Sequence, residues 1–323
     1  MHRPSVGREA AAESGGALAS GHAWRSCSDD ACRPAPFFHQ DGEHYVPTTA
    51  SGGFWSPDTL GGRLVGGLLG MALEQAFGDP DFVPVRFCVD LMRPPPKRPL
   101  RVVTRLVRSG RRLRLADAEL FADGVLVARA NCQFLRGSAA QVAPTWQAPG
   151  WTAPSPNSLP AHEQSLHVWD LRAIPAGAAT RDRRVEPVDQ LPRGASMGAA
   201  SGNAPVLGAM APFAARQAWA RENRELVAGQ RHTPFIRVAL AADFASPLAN
   251  SSESAIDFIN SDFTVYLHRL PCTEWLGFDV VKHHATDGVA IGECWLHDEA
   301  GPIGAVTVAA LIQQQRQRVG KPR

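Results

Sequence analysis

The strongest constraint on the fold is an internal repeat. Phe87 recurs as Phe263, 176 residues later, and Val89 and Val265, Leu91 and Leu267, Arg93 and Arg269, Leu100 and Leu276, and Leu120 and Leu296 keep the same spacing. One extra residue at the last turn shifts the register, so that Gly124 matches Gly301. The period is far beyond the roughly 20–50 residues of solenoid repeats and reads as duplication of a whole unit. With 323 residues the chain is long enough for two such units.

Each copy reads as a helix followed by four strands. In the first, a short strand over Glu43 to Thr48 precedes FWSPDTLGGRLVGGLLGMALEQAF. Asp58 or Thr59 is the expected cap of that helix, with Leu64, Leu68, Met71 and Leu73 near one face. Its five glycines would each weaken an exposed helix by about 1 kcal/mol relative to Ala, so they predict a helix buried closely against a sheet. Four strand-like runs follow, VPVRFCVDLMRP, LRVVTRLVRSG, RRLRLADAELFADG and VLVARANCQFLR, with turn signals at Ser109-Gly110 and Asp123-Gly124. The second copy runs FTVYLHRLP, EWLGFDVVKHH, GVAIGECWLHDEAG and PIGAVTVAALIQ, and its helix is expected to begin near Asp243. One long helix needs a curved sheet to cover its apolar face. That is the hotdog arrangement, and the expected fold class is α+β, a tandem (double) hotdog. The expected units are 36–136 and 207–318, with a disordered tail over 1–35 and a Pro/Ala/Gly-rich linker over 137–206.

Composition narrows the partners. A net charge of +2, from 33 basic and 31 acidic residues, gives no argument for a nucleic-acid or membrane-surface partner, and none is expected. No apolar run reaches the roughly 18–20 residues of a membrane span, and the N-terminus lacks a secretory pattern. Cys27, Cys32, Cys88, Cys132, Cys272 and Cys294 form no CxxC pair, and no His cluster completes a zinc pattern. The expectation is a reduced, cytoplasmic protein without metal or cofactor.

Several motifs have both a functional and a bland reading. Gly194-Ala195-Ser196-Met197-Gly198 fits the GxSxG elbow of serine hydrolases, but its surroundings, RGASMGAASGNAP, offer neither the strand nor the helix that the elbow requires. His283 and His284 are adjacent on a strand-like run and point to opposite faces. His268 and Arg269 match Met92 and Arg93, and read as a structural strand end or as a contact to a CoA substrate. Arg105, Arg108, Arg111, Arg112 and Arg114 form either a solvated hairpin or a phosphate contact. Gly61 and Gly62 suit close backbone approach to a ligand or tight packing. Asp243 is either an N-cap or a base that orients water, with the Asn260 amide available beside it and backbone N–H groups to stabilise an oxyanion.

The stretches GGRLVGGLL, VDLMRP and ADGVLVARANCQF in the first half, with DFTVYLHRLPCTEWLGFDV and GPIGAVTV in the second, resemble the acyl-CoA thioesterase II family over residues 36–136 and 207–315. The resemblance implies hydrolysis of fatty acyl-CoA to free acid and CoA, without metal or covalent intermediate. It implies an Asp, a Thr or Ser, and a Gln that bind and activate water in the C-terminal unit. The Asp falls on Asp243. The Thr position falls on Asn260, which hydrogen-bonds but has no hydroxyl. The Gln position falls on Val308 or Ala309, and Gln313, Gln314 and Gln315 lie further along the strand. Two other readings stay open: an acyl-thioester binding protein without turnover, and a hotdog hydratase or dehydratase, which needs a His beside the Asp. Exposed sheet edges make a homodimer the candidate assembly.

Overall fold

Apolar residues at every second position set the strands. In Leu113–Ala122, Ala116, Ala118, Leu120 and Ala122 are buried on one face, while Asp117 and Glu119 point to the other. The computed structural model describes residues 34–53, 56–138, 148, 150–162, 169–181, 216–251 and 256–313.

The first half contains strands β1 (Phe38–Asp41) and β2 (His44–Pro47), helix α1 (Gly62–Phe77), and strands β3 (Phe82–Leu91), β4 (Leu100–Ser109), β5 (Leu113–Ala122) and β6 (Val125–Arg136). Next come β7 (Trp151–Thr152), β8 (Asp170–Ala173), β9 (Thr180–Arg181) and β10 (Gln217–Arg221). The second half adds α2 (Pro234–Ala241), α3 (Ala245–Asn250), β11 (Phe258–Asn260), β12 (Asp262–Leu267), β13 (Leu276–Thr286), β14 (Val289–Asp298) and β15 (Gly301–Ile312).

One antiparallel sheet runs through both halves in the order β1-β2-β4-β5-β6-β3-β12-β15-β14-β13-β10-β8, with β11 also on β15. The halves join where β3 meets β12, the two strands that the repeat equates. Phe263 lies opposite Val89 and Val265 opposite Phe87, so repeat mates are exchanged across the seam. Thr264 faces its own mate, Cys88. That pairing is the signature of a local two-fold axis between the halves.

The helices lie together on one side of the seam. A Cβ on Gly70 would stand 2.7 Å from the Ala239 Cβ, and one on Gly66 would stand 2.7 Å from the Ala239 carbonyl and 2.6 Å from the Phe263 ring. The α1 glycines therefore serve chiefly its contact with α2, rather than with the sheet alone as expected.

Two local expectations are corrected, and one, the short strand before α1, is borne out as β2 and extended. Helix α1 is capped by Gly61, and Asp58 and Thr59 precede it in a turn. The Glu43 to Thr48 run is the second arm of a hairpin that turns at Gly42, φ +56°. The second helix begins nine residues before Asp243. Thr233 caps it, its Oγ1 accepting from the Ile236 N–H at 3.1 Å, and Pro234 takes the first position. Asp243 lies instead in a 3-10 turn, Ala242–Phe244, between α2 and α3.

Within the stretch expected as a linker, the described parts are folded. β8 extends the sheet beside β10, and β7 and β9 form a ribbon over its outer face. Trp151 packs where a Gly277 side chain would otherwise stand, and Arg181 grips buried Asp279 with two bonds of 2.8 and 2.7 Å. Among the described residues no helix is long and apolar enough to cross a membrane.

Candidate active site

Asp243 is half-buried where the 3-10 turn crosses the first turn of α1. A Cβ on Gly62 would stand 2.6 Å from Asp243 Oδ1, so only glycine lets the carboxylate rest there. Asn260 Nδ2 donates to Asp243 Oδ1 at 2.9 Å and to the Asp262 carbonyl at 3.3 Å.

Asn260 is placed by a change of strand pairing. β15 pairs with β12 at Thr264 and Thr307, then with β11 at Asn260 and Ala310. Between them the Ser261 N–H donates to the Ala309 carbonyl at 2.9 Å, and the Ala309 N–H donates to Asp262 Oδ1 at 2.8 Å. The resulting jog fixes the Asn260 amide over the helix side of the sheet.

Burial pushes the Asp243 carboxyl above the usual carboxylate range, while the Asn260 amide, the Arg63 N–H and the Arg63 charge pull it down. The carboxylate thus sits at the positive end of α1. A carboxylate of raised basicity beside an amide and a helix N-terminus can accept a proton from water and leave donors for a developing oxyanion.

Gly61, Gly62, Asp243 and Asn260 come together as one site, although they belong to both halves. Gly62 of the first half and Asp243 of the second are direct neighbours. His268 and Arg269 are not brought there. They follow the far end of β12, about 20 Å along the strand from Asp262. Arg269 donates twice to buried Asp298, at 2.7 and 2.7 Å, and to the Gly301 carbonyl at 3.0 Å, which makes it a structural clamp.

The arginine hairpin lies at the other end of α1. Arg114 bonds to the Phe77 carbonyl and to Asp79, roughly 24 Å of helix from Gly62, and Arg105 is paired with Asp117. His283 and His284 face Gly292 and Ile291 across β14 and are exposed. The 194–198 motif lies outside the described residues. Val308 is fully buried opposite Gly292, and the Ala309 N–H is taken by Asp262. A cavity of about 390 Å³ at the end of α3 is lined by Arg216, Asn250, Phe258 and His283, not by Asp243. Among the described residues no group of three His, Cys, Asp or Glu side chains is placed to hold a metal ion.

Sequence reasoning passed over Arg63 and Glu222. The Arg63 guanidinium pairs with Glu222 and lies over the rings of Phe37 and Trp169, at 4.7 and 5.0 Å. A lone arginine inside the apolar run GGRLVGG was the available signal.

A large antiparallel sheet with its helices gathered on one side, and a carboxylate at a helix N-terminus, define a hotdog-fold protein. A conserved hot dog fold protein from Alicyclobacillus acidocaldarius superposes with a TM-score of 0.55 at 14% identity, over 86% of this chain and 96% of that one. The acyl-CoA thioesterase II of Mycobacterium marinum gives 0.56 at 17%, over 86% and 96%. The tesB protein of Mycobacterium avium subspecies paratuberculosis gives 0.54 at 13%, over 86% and 96%. No curated protein matches the chain. The family model of the acyl-CoA thioesterase N-terminal domain matches residues 53–135, and that of the C-terminal domain matches residues 156–312. The chain belongs to the acyl-CoA thioesterase family, and it is a thioester hydrolase.

Proposed function

We propose that the protein is a tandem double hotdog that hydrolyses fatty acyl-CoA in a reducing, cytoplasmic setting. Its two units are residues 36–136 and 207–318, and its water-activating carboxylate is Asp243. The observation that carries this reading is the Asn260–Asp243 hydrogen bond of 2.9 Å, set against the first turn of α1.

Asp243 takes a proton from a water molecule as the water oxygen bonds to the thioester carbonyl carbon. The tetrahedral oxyanion faces backbone N–H groups of the α1 first turn. The carbon–sulfur bond then breaks, and the CoA thiolate leaves with the proton held by Asp243. One water is consumed, and one carboxylic acid and one CoA thiol are formed. A positioned general base contributes about 10²–10⁴ in rate, and one oxyanion donor about 10²–10³. Asn260 holds the carboxylate and, lacking a hydroxyl, acts through its amide. With Val308 or Ala309 at the family's Gln position, this pair bears water activation without a third polar side chain.

The test is thiol release from a panel of acyl-CoA chain lengths. The reading predicts turnover of at least one chain length, and at least a tenfold lower kcat for Asn260→Ala. Binding of acyl-CoA without release of CoA from any member would replace it with the binding-protein reading.

A further inference from the structure

We propose that the buried Asn250 carboxamide, in the cavity it lines at the end of α3, is the subsite for the first amide of the CoA arm, and so a substrate-binding residue. The inference rests on the function proposed above and names where the CoA side of its substrate lies.

Asn250 follows Asp243 along the 3-10 turn and α3 by two helical turns, so the two share a helix face about 10 Å apart. On the facing strand β11, Phe258 and Asn260 alternate onto one face about 7 Å apart. Asn260 bonds to Asp243, whereas Phe258 lines the cavity of about 390 Å³ with Asn250, Arg216 and His283. The cavity therefore begins one step beyond the Asp243–Asn260 pair on both walls. Beneath it run His283, Gly292 and Val308, paired in a row across β13, β14 and β15. A Cβ on Gly292 would stand 3.3 Å from Asn250 Oδ1 and 3.3 Å from a Val308 methyl, so the glycine makes room for the carboxamide.

Asn250 is 3% exposed. Its Nδ2 donates to Ser246 Oγ at 3.3 Å, and among the described residues no donor reaches its Oδ1. Arg216, in the cavity wall, is committed to the Leu248 and Ser251 carbonyls at 2.8 and 2.6 Å. A buried acceptor without a donor costs free energy, which a ligand that supplies the donor recovers. A fatty acyl chain has no hydrogen-bonding group beyond its carbonyl. The first such group of the CoA arm is an amide, separated from the thioester carbon by a sulfur and two methylenes, about 5 Å when extended. With a hydrogen bond of about 3 Å, that amide reaches Asn250 from a carbon held beside Asp243. The Ser246 hydroxyl can donate as well as accept, so the carboxamide can turn and offer its N–H, and an amide of the ligand answers either orientation. Arg216 and His283 are exposed, so the cavity opens to solvent where the rest of the arm leaves.

The experiment pairs a variant with a change in the substrate, on the full chain. The N-acetylcysteamine thioester of a fatty acid keeps the first amide of the CoA arm, and the S-pentyl thioester replaces it with methylenes. Asn250→Leu keeps the shape of the side chain and removes its amide. It should raise KM for the N-acetylcysteamine thioester about fivefold relative to the S-pentyl thioester, with kcat within about twofold of wild type. Its melting temperature should be no lower than that of wild type, because an unpaired buried oxygen is lost. A merely structural role would lower stability and affect both thioesters alike. Equal changes on the two thioesters, or none on either, overturn the assignment. If Asn250→Leu fails to fold, Asn250→Ala, which adds no bulk over Gly292, is judged by the same comparison. If the wild type hydrolyses neither compound, binding of their 2-oxoalkyl thioether analogues is measured by calorimetry. An Asn250-dependent Kd for the amide-bearing analogue alone would then sink the proposed hydrolysis and leave the subsite standing.

Discussion

Asp243 rests on Gly62 so closely that a Cβ at position 62 would stand 2.6 Å from its Oδ1 and 2.9 Å from its Cγ. Gly62→Ala should therefore displace the carboxylate while leaving α1 intact, since Ala favours a helix over Gly. A misplacement near 1 Å costs about 10²-fold in a positioned reaction. The expected result is a kcat at least tenfold lower, with the melting temperature within a few degrees of wild type. Unchanged kcat would mean that the contact has no part in turnover.

Asp243 should also cost stability. Its folded-state pKa is raised, chiefly by burial, so the folded state holds its proton over a range where the unfolded chain has lost it. The stability tied to this group is present below the ordinary Asp range and is lost as pH rises through the raised value. Asp243→Asn should be more stable than wild type at pH 7, by on the order of 1 kcal/mol. The gap should close on acidification, as read by thermal unfolding at several pH values.

Arg269 tests the structural clamp against a substrate contact. Burial alone would raise the Asp298 carboxyl, but the bonds from Arg269 and from the Cys272 N–H and thiol hold it well below the usual range. That stabilisation is present above the ordinary Asp range and fades as pH falls. Arg269→Met leaves buried Asp298 without its counter-charge, and should cost about 3–5 kcal/mol at pH 7. The KM of the protein that remains folded should not change; a raised KM with unchanged unfolding would restore the substrate contact.

His297 offers a separate check on the ribbon over the second half. It is 2% exposed, neither ring nitrogen has a partner, and it stacks on Trp151 at 4.3 Å. Burial pushes its pKa down to about 4. Stability tied to this group is present above the ordinary His value near 6.5 and is lost as pH falls from there toward 4. His297→Phe should keep the stacking and flatten this loss, which amounts to about 3 kcal/mol across the window.

The strands were legible because their information is local. Alternation in β5 and the turn at Asp123-Gly124, both with positive φ (+48° and +77°), specify pairing without reference to the rest of the chain. The sequence repeat was legible for the same reason, and its Phe87 and Phe263 lie on the paired strands β3 and β12. The second helix start was misread because Asp243 follows an apolar run and looks like a cap. The true start, Thr233-Pro234, carries the better capping chemistry but lies before that run. What could not be read was the meeting of the halves. Gly62 and Asp243 come from opposite units, and Arg63 and Glu222 are 159 residues apart, so no spacing rule links them. The helix packing, set by Gly66 and Gly70 against Ala239, brings them together.

The central claim is that Asp243 activates the water that cleaves the thioester. Its most direct test is steady-state CoA release by wild type and Asp243→Asn on the best acyl-CoA substrate, with folding checked by circular dichroism. The account predicts a kcat at least 10²-fold lower for the folded variant. A folded Asp243→Asn protein that releases CoA at the wild-type rate would contradict it.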